Sequence, residues 1–257
     1  MNKIIALLLI AISLPSLAQN EDNNWFFGGN YNFNFPKNQD PAEPISGLNF
    51  NTINAGIPLV NNSSPYLYSE NHTAISDQNG NLLFYTDGEF IWDKNHAQMP
   101  NGANMGGNVS SMKSSLIVPF PGNINKYYVF AMDGHATGTG AGLFYSIVDM
   151  TLNNCLGDVE AVGKKTLVQA NTHELLIGTY HGNGTDYWIL TGTDGSNVNG
   201  FAPQTPNLYA YHVSAAGISA PTIIDLGVAP YNLTTMCFTA RMNFNNQGNK
   251  PLWIENP

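Results

Sequence analysis

Positive charge is what this chain has least of. Lysine and arginine together number 9 against 18 aspartates and glutamates in 257 residues, for a formal net charge of −9. A surface of that sign repels phosphate backbones and argues against nucleic-acid binding. Charge of either sign is scarce, at 11% of residues, so solubility must rest on Asn, Ser, Thr and Gly. Cysteine is scarcer still, with only Cys155 and Cys237. In an exported chain they allow one disulfide, but two isolated thiols are no disulfide framework and nothing in the sequence brings them together, so they are expected unpaired or only marginally paired. Helical periodicity is missing as well. No apolar stretch with a 3.6-residue repeat runs beyond two turns, and Gly and Pro interrupt every few residues. After the N-terminal segment no apolar run is long enough to cross a bilayer, so no membrane span is expected.

The N-terminal segment has its own character. Met1-Asn2-Lys3 gives a basic start, Ile4 to Leu14 is almost wholly apolar, and Pro15-Ser16-Leu17-Ala18 closes on small residues. This is the pattern of a secretory signal peptide over 1–18, with cleavage after Ala18 leaving Gln19 first. The product is expected outside the cytoplasm, in the medium or at the cell surface, or in the periplasm if no sorting domain follows. Residues 19–257 suffice for one all-β domain with its own core.

What the chain has is strands. The most informative stretch is His72 to Gly102, which reads as two short strands, a tight turn and a Trp-anchored return. Strands are expected over Asn81–Thr86, Ser115–Pro119, Lys126–Met132, Gly142–Asp149, Leu175–Tyr180, Asp186–Thr191, Asn207–Val213 and Pro221–Leu226. Several are continuous apolar runs, such as Tyr127-Tyr128-Val129-Phe130, as strands covered on both faces are. Asn81 to Gly88 aligns with Tyr127 to Gly134, and Tyr187 to Gly195 follows one residue longer. The closing glycines lie 46 and 61 residues apart, and a four-stranded blade needs about 40–50. A second echo links Gly142–Val148 with Asn207–Val213. Regularly spaced aromatic hairpins suit a β-propeller better than a β-sandwich.

An ordered set of segments carries a resemblance. It begins with Asn24-Trp25-Phe26-Phe27-Gly28, then Ala74-Ile75-Ser76-Asp77 and Asn79 to Gly88. Ile91-Trp92, Asn95-His96 and Met99-Pro100-Asn101-Gly102 follow, then Ser114 to Pro119, Pro121-Gly122-Asn123, Lys126-Tyr127-Tyr128 and Tyr145 to Met150. Over about residues 23–232 the chain resembles the N-terminal region of large secreted Bacteroidota proteins of the type IX secretion, adhesin-like class. The resemblance implies a WD40-like propeller, export to the surface or medium, and no established catalytic residues. The tail, residues 233–257, departs from that pattern, so an incomplete ring or an atypical last blade is expected, as in a truncated gene.

Most chemical motifs fail. His173-Glu174-Leu175-Leu176-Ile177 has Ile where a zinc protease needs its second His. Gly138-Thr139-Gly140-Ala141-Gly142 lacks the third Gly and the helix of a dinucleotide loop. Asp77, Asn79 and Asn81 place oxygens at alternate positions that suit Ca²⁺, but Asn79-Gly80 is first a hairpin turn. Asp133 with His135, beside a Gly-rich loop, is the best pair for acid–base work, although such loop residues usually serve turns. Trp92 and Trp188 are candidates for stacking on sugars, against the plainer reading of blade packing. No cofactor is expected. The function these features favour is a surface-associated binding or scaffold module with a protein or glycan ligand. The alternatives are a secreted glycan-active hydrolase or lyase, which should show converging carboxylates, and a fragment with no role of its own.

Overall fold

The computed structural model describes residues 72–108, 111, 113–134, 142–172, 174–193 and 207–225 in full, and the backbone of five further strands. The chain is all-β, and the described residues form five antiparallel sheets. The first holds β1 (Asn24–Phe26), β2 (Ile45–Asn49) and β3 (Leu59–Ser64). The second holds β4 (Thr73–Ser76), β5 (Leu82–Thr86), β6 (Phe90–Asp93) and β7 (Gln98–Ala103). The third holds β8 (Ser115–Pro119), β9 (Lys126–Met132), β10 (Gly142–Asp149), β11 (Asp158–Val159) and β12 (Thr166–Ala170). The fourth repeats that plan with β13 (Leu176–Tyr180), β14 (Tyr187–Gly192), β15 (Asn207–Ser214), β16 (Gly217–Ile218) and β17 (Thr222–Asp225). A hairpin of β18 (Arg241–Phe244) and β19 (Pro251–Ile254) forms the fifth. No helix among the described residues is long and apolar enough to cross a membrane.

All eight expected strands are present, each within one residue at either end. The echoed segments take equivalent places: β5, β9 and β14 are the second strands of their sheets, and β10 and β15 the third. The stretch from His72 to Gly102 holds more than was read from it. It carries four strands, because Gln98–Ala103 pairs with β6. Pro100 and Gly102 argue against a strand by sequence, but β7 is outermost in its sheet, where a missing N–H costs no ladder bond. Within the tail, Trp253 pairs with Met242 of β18, while Trp25 pairs with Leu48 of β2, each inside its own sheet. The signal-peptide residues 1–18, Asp194-Gly195, Gly138 to Ala141, His173 and Cys237 lie outside the described residues. Cys155 is exposed and free.

Why β9 is apolar throughout is visible in its two faces. Ile117, Val129, Ala131, Val148 and Val159 of the third sheet pack against Ile75, Phe84, Ile91 and Met99 of the second. On the opposite face Val118, Tyr128, Phe130, Met132 and Leu143 meet Leu176, Ile189, Tyr211 and Val213 of the fourth. Side chains alternate across a strand, so a sheet covered on both sides needs apolar residues at every position. The second sheet turns Tyr85 and Trp92 to its other face, and the fourth turns Leu175, Leu190 and Leu208 away from the third. Contacts also join the first strands in series: β1 to β4, β4 to β8, β8 to β13 and β13 to β18. Outer strands are tied too. The Asp158 carboxylate of β11 accepts the Asn101 backbone N–H and the Asn101 side-chain amide of β7, both at 2.8 Å.

Turns close these sheets with local side-chain bonds. At Asp87-Gly88-Glu89 the Asp87 Oδ1 accepts the Glu89 and Phe90 amides at 2.8 and 2.7 Å. Thr86 Oγ1 accepts the Gly88 N–H at 2.9 Å and donates to the Phe90 carbonyl at 2.6 Å.

Just ahead of β4, burial lowers the His72 pKa from its usual 6.5 to about 4. Above pH 6.5 the ring is neutral in folded and unfolded chains alike. As pH falls towards 4, the unfolded chain takes up the proton first, so stability declines across that window and levels off below it. The ceiling on this loss is about 3 kcal/mol, less whatever solvation the partly exposed ring retains. Urea midpoints at pH 7 and 4.5 should fall further apart for the native chain than for His72→Gln. An equal drop in both would show that His72 does not carry the effect.

Candidate functional site

The hairpin between β13 and β14 turns through His181-Gly182-Asn183-Gly184-Thr185-Asp186. The pairing Tyr180 to Tyr187 places His181 opposite Asp186, and the His181 amide donates to the Asp186 carbonyl at 2.8 Å. One step further along, Trp188 pairs with His212 of β15. Positions two apart share a face, so His181, Asp186, Trp188 and His212 all stand on the face that the fourth sheet turns away from the third.

Their side chains converge. His212 Nε2 and Asp186 Oδ2 are 3.0 Å apart. The His181 and His212 rings lie 4.8 Å apart, centroid to centroid, and Trp188 sits 5.5 and 5.2 Å from them. One donor atom from each of His181, Asp186 and His212 lies within 4.8 Å of the other two, all at half-buried positions. Asn183 organises the group. Its backbone N–H donates to His181 Nδ1 at 3.2 Å, its side-chain amide to Asp186 Oδ2 at 2.9 Å, and its Oδ1 accepts the Asp186 N–H at 3.0 Å. The Asn183 amide, and after it His212 and Thr185, outweigh desolvation and hold the Asp186 carboxyl below the usual range. Two imidazoles and one carboxylate, His181 and Asp186 on a turn fixed by an outer amide and His212 on β15, are a donor set that transition metals use.

The other expected residues fall elsewhere. Asp77 Oδ1 accepts the Asn79 and Asn81 amides and Oδ2 the Asn81 side-chain amide, each at 2.9 Å. Burial acts to raise its pKa, but these N–H donors prevail and hold it below the usual range. With N–H groups on both oxygens and Gly80 at φ 80°, the segment is built as a turn. Asp133 is part-buried, accepts the Gly134 N–H at 2.8 Å, and is raised chiefly by desolvation. His135, its expected partner, lies outside the described residues. Trp92 is 4% exposed and stacks on Tyr85 at 5.4 Å, which is packing of the second sheet and leaves no face for a sugar. Trp188 is half-buried beside the two histidines.

A shallow depression is lined by Pro119, Phe120, Asn123, Ile124, Thr185 and Tyr187. Among the described residues no carboxylate, histidine or lysine lines it. The His181–Asp186–His212 group was missed in the sequence because its members come from two hairpins. The hairpin of two expected strands does set His181 against Asp186. The register of β14 with β15, across a connection of many residues, cannot be read in advance. Set against known families, curated proteins and solved structures, the chain matches no family model, no curated protein and no solved structure.

Proposed function

We propose that the chain is an exported β-propeller of WD40-like plan that serves as a binding or scaffold module, of the kind carried by adhesin-like type IX secretion cargo. The observation that supports a propeller is the serial order of the sheets. Each first strand touches the next, and the third sheet packs one face on its predecessor and the other on its successor, as blades do around an axis. Binding is favoured over hydrolysis by where the carboxylates go. Asp77, Asp87, Asp93 and Asp149 each accept backbone N–H groups of their own turns, whereas glycan hydrolysis needs two carboxyls facing one bond.

The test has two arms. Protein recovered from the medium or the envelope should begin at Gln19, and it should be retained by immobilised surface polysaccharide or envelope protein without releasing reducing sugar. Folded cytoplasmic protein that keeps Met1 would end the export reading. Release of sugar by the pure protein would replace the binding module with a hydrolase.

A further inference from the structure

We infer that His181, Asp186 and His212 form a binding site for one divalent transition-metal ion, with Zn²⁺ the best match. The donor set is two imidazole nitrogens and one carboxylate oxygen. Nitrogen-rich sets of this kind suit zinc, copper and nickel, whereas calcium and magnesium ask for oxygen alone. Zinc bonds of about 2.0–2.1 Å place tetrahedral ligands roughly 3.4 Å apart. The three donor atoms are already within 4.8 Å of one another, and His212 Nε2 and Asp186 Oδ2 within 3.0 Å. Turning of the two half-buried imidazoles would close the remainder.

The surroundings fit the same ion. Asn183 donates to Asp186 Oδ2, an outer-shell bond of the type that orients metal carboxylates. Trp188 walls one side of both rings. Three protein ligands leave a fourth position for water or for a group on a ligand. A bound ion would join the β13–β14 turn to β15, tying three strands at one end of the fourth sheet. This site does not depend on the export or propeller readings.

The experiment uses untagged, chelator-washed protein, titrated with ZnCl₂ by calorimetry and with Co²⁺ by visible absorption. One equivalent of Zn²⁺ should bind and raise Tm, and Co²⁺ should show the intense bands of a low-coordinate site. His181→Ala and Asp186→Asn should each weaken Zn²⁺ by more than tenfold and abolish the cobalt bands, with far-ultraviolet spectra unchanged. Asp186→Asn keeps size and shape, so its loss of affinity cannot be laid to misfolding. Absence of stoichiometric uptake by the native protein would overturn the site, as would uptake undiminished in both variants.

Discussion

Phe130→Ala is expected to cost about 3–5 kcal/mol of folding stability, the range for emptying a fully buried aromatic site. Phe130 has no exposed surface and lies in the layer between the third and fourth sheets. Its ring centroid is 6.0 Å from that of Tyr128 and 6.4 Å from that of Tyr145. These neighbours are themselves held by strands on either side, so the void cannot collapse without shifting a sheet. A single domain has about 5–15 kcal/mol in hand, so the variant should lose a large share of its margin. Denaturant titration gives the difference. Val162→Ala, at a position 88% exposed, supplies the comparison and should move stability by less than about 0.5 kcal/mol. A loss under about 1 kcal/mol for Phe130→Ala would mean that the two sheets do not share a packed layer in solution.

Gly88→Ala should be nearly as damaging, for a different reason. Gly88 has φ 92°, and a Cβ there would lie 2.4 Å from the Ser114 carbonyl oxygen and 2.9 Å from its carbon. Its own carbonyl accepts the Gly107 N–H at 2.9 Å. The turn after β5 is therefore pressed onto the backbone that leads into β8. Positive φ alone costs about 1–2 kcal/mol for alanine. The clash is with main chain, which has no rotamer to yield, so the total should exceed about 3 kcal/mol. Gly184→Ala separates the two contributions, because Gly184 has φ 76° but no atom within 4 Å of the added carbon. Thermal unfolding of both variants is the measurement. Equal shifts would show that the close approach at Ser114 is not a property of the folded protein.

The strands most easily read were β8, β9 and β10, and the reason is their burial. A strand covered on both faces becomes an unbroken apolar run, and the turns at its ends carry Asn, Asp and Gly. Three of the outer strands, β7, β11 and β16, left no such trace. β7 contains a proline and a glycine, while β11 and β16 are two residues long and are defined by backbone pairing that no side-chain pattern reports. Trp92 shows the limit for sites. A tryptophan in an aromatic strand has the same sequence whether it packs or binds, and only its position over Tyr85 decides. The histidine cluster shows the opposite case. None of its residues stands in a motif of the sequence, and only the register of three strands brings them together.

The divided outer strands have a further consequence. In the third sheet β10 is flanked by β11 and then β12, and in the fourth β15 is flanked by β16 and then β17. The rim of each sheet is thus two short pieces rather than one long ribbon of open N–H and C=O groups. The interruptions differ in chemistry. Gly163, Lys164 and Lys165 separate the pieces in one sheet, with Lys165 at φ 51°, and Pro221, which has no N–H to offer, stands between them in the other. An incoming strand from another molecule would find a register only a few residues long before meeting a charge, a kink or a missing donor. Ile223 and Ile224, 58% and 45% exposed on β17, would otherwise be an open invitation to such pairing. The same breaks that leave β11 and β16 only two residues long protect a charge-poor protein from sticking to its own copies.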